Sequence, residues 1–151
     1  MTMSRLASVY ARNRDYIVQP WSWTTTGLRI GSEPIEVLNH DIPAADLGKA
    51  LHRALSAAKE GIAHPTDWKA HLAPLLQCAK IKSWNALQKS AKECQIEARD
   101  RELRITPSRN GGTSGADKGY HPIGDQAIVL PLHCSDEELG AAVLRALTLC
   151  S

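Results

Sequence analysis

The sequence predicts an α+β fold in which a mainly antiparallel sheet of five or six strands is covered by helices. Three observations predict it: runs of strand composition lie toward both ends of the chain, apolar stripes of helical period lie between and after them, and one strand-plus-helix unit occurs twice. The 151 residues fit one domain over 1–151, and a chain of this size buries roughly two-thirds of its unfolded surface. No Phe is present, so Leu, Ile, Val, Ala and four Trp have to fill the core.

The first elements read as a hairpin, Ser8 to Arg12 and Tyr16 to Trp23, turned at Asn13-Arg14-Asp15. Trp21 and Trp23, two residues apart, share one face of the second strand. Thr24 to Gly27 turns the chain into a short strand around Leu28-Arg29-Ile30, and Pro34 to Leu38 reads as another. From about Pro43 to Lys59 a helix is predicted, because Leu47, Ala50, Leu51, Ala54, Leu55 and Ala58 fall on one stripe. Asp67 to Glu93 reads as two short helices carrying Trp68, Leu72, Leu75 and Leu76, then Trp84, Leu87 and Ala91, with Ser83 as N-cap of the second.

Cys94 to Arg99 and Glu102 to Thr106 alternate polar and apolar residues and form an antiparallel pair. The stretch between Pro107 and Gly119 is rich in turn formers and predicts a mobile surface loop. A strand at Ala127 to Leu132 and a helix from about Asp136 to Leu149 close the chain, with Ser135 and Glu138 at capping-box spacing.

Residues 34–58 and 126–150 align without a gap at an offset of 92 and share the word LGxAxxRAL. Val37, Leu38, Leu47, Gly48, Ala50, Arg53, Ala54 and Leu55 recur as Val129, Leu130, Leu139, Gly140, Ala142, Arg145, Ala146 and Leu147. Glycine costs about 1 kcal/mol in a helix relative to alanine, so the same first-turn glycine in both copies points to close backbone approach. The plain alternative is a chance match between two amphipathic helices, against which the upstream strand keeps its phase. Two copies at so long a period do not make a solenoid.

The chemistry-bearing residues are scattered. Six histidines (His40, His52, His64, His71, His121, His133) form no HxxxH or HxH pair, so no metal site is expected. Cys78, Cys94, Cys134 and Cys150 form no CxxC pair and read as reduced, mostly buried thiols. His40-Asp41 and His133-Cys134 end the two repeat strands, which leaves a small hydrolase or transferase as one reading and ordinary strand-end residues as the commoner one. Arg99, Arg101, Arg104 and Arg109 with Lys118, Tyr120 and His121 leave an RNA-facing patch as another, against solvated strand edges. The glycines from Asn110 to Gly119 lack the Gly-Lys-Ser/Thr ending of a phosphate loop, and neither GxSxG nor GxGxxG occurs. A net charge of +2, without a basic stripe, announces no nucleic-acid partner. No apolar run approaches the ~20 residues that span a bilayer. Residues 1–5 open into no stretch long enough for a secretory signal, so a cytoplasmic location is expected.

Arg12-Asn13 followed by Tyr16-Ile17-Val18, the turn from Thr24 to Gly27, and above all Leu130-Pro131-Leu132 leading into Ser135-Asp136-Glu137-Glu138-Leu139-Gly140 resemble the immunity proteins of bacterial contact-dependent growth inhibition, the CdiI family. The resemblance implies a protein that is no enzyme, needs no cofactor, and binds the toxic C-terminal nuclease domain of its cognate CdiA effector one to one. It implies no membrane and no nucleic acid as direct partner. Candidate contacts are Glu33, Glu36 and Asp41 as an acidic group, Arg109, Lys118 and Tyr120 about the glycine loop, and Trp21 and Trp23, since exposed Trp is a frequent interface anchor. Each is commoner as solvated surface or, for the tryptophans, as core. The slightly basic chain makes overall mimicry of nucleic acid a poor expectation.

Overall fold

A computed structural model describes residues 4–151; residues 1–3, part of the start examined for a secretory signal, lie outside it. In chain order the elements are β1 (Arg5–Ala11), β2 (Asp15–Trp23), β3 (Arg29–Gly31), β4 (Glu36–Asn39), α1 (Ala44–Ala57), α2 (Trp68–Ala79), α3 (Trp84–Ser90), β5 (Lys92–Arg99), β6 (Glu102–Asn110), β7 (Tyr120–Pro122), a 3-10 turn (Gly124–Gln126), β8 (Ile128–Pro131) and α4 (Asp136–Thr148). The α+β class is as the sequence predicts. The sheet runs β3-β2-β1-β5-β6-β7, with β4 added on β2 and β8 on β6, and its pairings are antiparallel.

Local chemistry sets the helix ends. Ser135 accepts from the Glu138 N–H at 3.0 Å and Glu138 returns to the Ser135 N–H, the capping box expected of α4. Ser83 caps α3 as expected, and Asp67 caps α2. Lys80 ends α2 in the left-handed conformation, where its N–H reaches the carbonyls of Gln77 and Leu76.

Alternation along the strands gives the sheet two apolar faces. On one, Ala7, Val9, Val18, Cys94, Ile96, Leu103 and Ile105 are buried beneath the stripes of α1 and α4. Each fully buried aliphatic side chain there is worth roughly 1.5–3 kcal/mol. On the other, Tyr10 and Ile17 lie beneath Leu75, Ala79 and Leu87 of α2 and α3.

The glycine stretch differs from expectation. Pro107, Ser108, Arg109 and Asn110 continue β6, and Tyr120–Pro122 pairs with them as β7. The turn between is closed by the Gly111 N–H on the Gly119 carbonyl (2.8 Å) and the Gly119 N–H on Gly112 (2.9 Å), and Gln88 donates to Gly112 at 2.7 Å. Backbone pairing, which composition does not reveal, tethers the segment. The thiols also differ from expectation: all four cysteines are free, yet only Cys94 is buried, and Cys78 is exposed.

Register extends the repeat far beyond the stretch visible in sequence. Glu36 and Ile128, equivalent at offset 92, lie opposite Val18 and Ile105, which carries β2 onto β6 at an offset of 87. Pro20 and Pro107 then coincide, opposite Ala7 and Cys94, which carries β1 onto β5. Trp21 opposite Gly31 matches Ser108 opposite Pro122, so β3 corresponds to β7. The chain is two copies of a ββββα unit joined by α2 and α3, which belong to neither. Ser8 and Gln95 are both equivalent and directly opposed, so the pseudo-twofold axis passes between them. On the helical side the same axis makes Gly48 meet the Asp136 backbone and Gly140 meet the Ala44 backbone, contacts with no room for a Cβ.

Candidate functional site

The face of the sheet beneath α2 and α3 carries the most chemistry. Strand alternation brings Tyr10 of β1 and Gln19 and Trp21 of β2 to this face, and Ile30 of β3 lies beside them. From α2 come Trp68, His71, Leu72 and Leu75, and from α3 comes Trp84. Together they line an apolar cleft of about 290 Å³.

The cleft walls are fixed. His71 Nε2 lies 2.8 Å from the Gly31 carbonyl, Trp21 donates from Nε1 to Ser8 Oγ at 2.7 Å, and Trp84 donates to Gln88 at 3.1 Å. Trp84 meets Tyr10 edge to face with ring centroids 5.9 Å apart. Trp68 stands between His64 and His71, at 5.6 and 5.8 Å, and leaves 48% of its surface exposed. Large aromatic area held without rotamer freedom and left in water is what interface anchors offer.

Behind Tyr10 lies a buried carboxyl. Burial pushes Glu93 up to about 7, while hydrogen bonds from Gln95 (3.2 Å) and Tyr10 draw it partly back. Tyr120 donates to the Ala91 carbonyl at 2.9 Å, and burial raises its phenol well above the usual range. A cavity of about 750 Å³ is lined by Glu93 and Tyr120 with Arg12, Ser108 and Cys150, while Tyr10 is itself fully buried and raised, chiefly by burial.

The residues singled out from sequence fall in different places. Trp21 lines the cleft, and Glu33 lines a neighbouring cavity of similar volume that shares Gln19, Gly31 and His71 with it. Trp23 lies outside the cleft, with the Arg29 guanidinium 4.7 Å above its ring. Glu36 is held by Arg53 through two hydrogen bonds of 3.1 and 2.7 Å, and Arg109 pairs with Asp117 at 3.1 Å. Asp41 and Lys118 are exposed, and Tyr120 is half-buried against Tyr10 and Trp84. Trp68, Trp84 and His71 belong to the cleft, whereas the sequence places the two tryptophans on short helices and offers them only as core fillers. Trp68 opens its helix directly after the Asp67 cap, a place where a large side chain overhangs the end of the packed stripe.

The two strand-end pairs do not meet as one site. β4, which leads to His40-Asp41, and β8, which leads to His133-Cys134, stand on opposite sides of β2-β1-β5-β6. None of the five principal cavities is lined by these four residues. Burial and the Glu138 charge raise the Cys134 thiol, the opposite of an activated nucleophile. The basic group is divided as well: Arg109 is five residues along β6 from Arg104, about 17 Å at ~3.4 Å per residue, and on the other face of the strand. Among the described residues no cluster of His, Cys, Asp or Glu could hold a metal, and no helix is long and apolar enough to cross a membrane.

Known proteins share this fold. The family model described as CdiI, CDI immunity protein, matches residues 5–150. A Neisseria meningitidis protein of unknown function superposes with a TM-score of 0.78 at 23% identity, each chain fully covered. A chain of the CdiA-CT/CdiI toxin and immunity complex from Yersinia pseudotuberculosis superposes with a TM-score of 0.76 at 19% identity, with 99% of each chain covered. No curated protein matches this sequence. With the family pattern running through both copies of the ββββα unit and the helices between them, the chain belongs to the CDI immunity protein family.

Proposed function

We propose that this immunity protein works in the cytoplasm by binding the toxic C-terminal domain of its cognate CdiA effector, one to one, and holding it inactive without catalysis. The bound domain is a nuclease on this reading, carried over from the resemblance. The aromatic cleft carries the proposal for where binding is anchored. It presents Trp21, Trp68 and Trp84 around an apolar hollow beside an open sheet surface, and nothing about it suits turnover. A protruding apolar side chain of the effector domain fills the hollow, and polar contacts at the rim, Glu33 among them, set orientation. Glu36 and Arg109 have intramolecular partners to release first, which makes them weaker contributors.

The test is reconstitution. Co-produced with the C-terminal domain of the effector encoded beside it, the chain is expected to co-purify in equal amount and to abolish nucleic-acid cleavage by that domain. Neither co-purification nor protection would sink the proposal, and protection against an activity other than cleavage would correct the nuclease part alone.

A further inference from the structure

The duplication supplies a template for a second contact surface. In the first unit the face beneath α2 and α3 is closed by the chain itself. Arg12 is clamped by Asp15 through bonds of 2.8 and 2.7 Å and donates its third bond, 2.9 Å, to the carbonyl of Ala79, the last residue of α2. A helix C-terminus leaves carbonyls without partners, and the guanidinium meets one of them. Ile17 lies fully buried beneath that helix.

The 87-residue offset places Arg99 where Arg12 stands, Glu102 where Asp15 stands, and Arg104 where Ile17 stands. The arginine and its acidic neighbour are thus kept in the second unit, but no helix covers them. Arg99, Glu102 and Arg104 are exposed, and Arg99, Arg101 and Arg104 make no ion pair with any described residue.

We propose that this open half of the sheet receives a helix C-terminus of the effector domain, with Arg99 donating to its terminal carbonyls as Arg12 does to Ala79. Arg104 takes a carboxylate on the same helix. The proposal rests on the toxin-binding reading above and adds a second contact to the cleft. A helix end carries negative partial charge that suits a free guanidinium. Nucleic acid suits the surface less, because Glu102 stands directly opposite Arg99 and repels a phosphate backbone, while Glu97, opposite Arg104, is already paired with Arg29 at 3.3 Å. A second copy suits it less too, because its α2 would set Leu75 against Arg104.

The experiment measures the wild-type chain, R99E and R104E against the effector's C-terminal domain, by calorimetry and by hydrogen exchange of the complex. Arg99 and Arg104 are exposed, and R99E and R104E set like charges opposite Glu102 and Glu97, so both variants are expected to melt within a few degrees of wild type, which is checked first. The expected result is at least tenfold weaker binding for each, with amides of residues 97–106 protected in the wild-type complex. R99K should recover most of the affinity lost by R99E, since it keeps a donor. A wild-type complex with those amides unprotected and R99E binding undiminished would overturn this inference and leave the toxin-binding reading standing. No complex at all would overturn both. A wild-type dimer, or salt-sensitive RNA binding, that R99E abolishes would overturn it in favour of that occupant.

Discussion

At the scale of single residues, Glu93 is a carboxyl taken out of water. Its carboxyl stands at about 7 in the fold against an ordinary 4.5, with burial as the leading cause. A raised carboxyl favours the folded state when protonated. Its stabilising contribution is therefore complete below about 4.5 and is lost as pH rises through 7, a change on the order of 3 kcal/mol. E93Q removes the titration while keeping the shape. We expect the variant to gain on wild type steadily between pH 4.5 and 7 and to hold a constant advantage above that; urea unfolding across the pH range measures it, and a pH-independent difference would refute the assignment. The cleft makes a separate residue-scale prediction. Trp68 is half exposed, so W68A is expected to leave the melting temperature nearly unchanged while costing about 2 kcal/mol of toxin-domain affinity, roughly thirtyfold. Equal affinity for W68A and wild type would remove the cleft from the interface.

At the scale of elements, the two glycines decide how closely α1 and α4 approach. A methyl group at Gly48 runs into the Asp136 carbonyl, and one at Gly140 into the Ala44 carbonyl, so neither neighbour is a side chain that can swing aside. Alanine gains about 1 kcal/mol in helix propensity, but displacing the partner backbone costs more. G48A and G140A are each expected to lose about 3 kcal/mol in chemical denaturation, by the same overpacking mechanism. A stabilised variant at either position would refute the close contact. These glycines were legible in the sequence because a helix buried on one stripe must keep the same small residue wherever two backbones touch. The rest of the duplication was hidden. Tyr10 has become Glu97 and Ile17 has become Arg104, since one half of the sheet is covered and the other is wet, and strand residues answer to what lies over them. Ala11-Arg12, Arg14-Asp15 and Pro20 recur as Ala98-Arg99, Arg101-Glu102 and Pro107, a trace too sparse to find without the register. β7 escaped notice for a related reason: three residues, Tyr120 to Pro122, carry no period, and the partner strand alone defines them. Likewise the cleft is assembled from β1, β2, β3, α2 and α3, so no local window of sequence contains it.

At the scale of the molecule, the pseudo-twofold axis bears on how the chain holds together. If each ββββα unit were self-sufficient, the protein would be two small domains, but the contacts run across the axis. β1 of the first unit pairs with β5 of the second over seven residue pairs, and α1 packs on α4 through both glycine contacts. The apolar stripes of both helices share one cluster with strands of both units, so neither has a face it can bury alone. Either half, of roughly 60 residues, would expose its share of that cluster and leave a central strand edge unpaired. We therefore propose that residues 1–151 fold as one cooperative domain, with a single unfolding transition by fluorescence and circular dichroism. The fragments 1–66 and 91–151 are expected to be unfolded when produced separately. A folded, monomeric fragment, or two resolved transitions in the intact chain, would show that the axis joins two domains and that the α1–α4 contact is an interface between them.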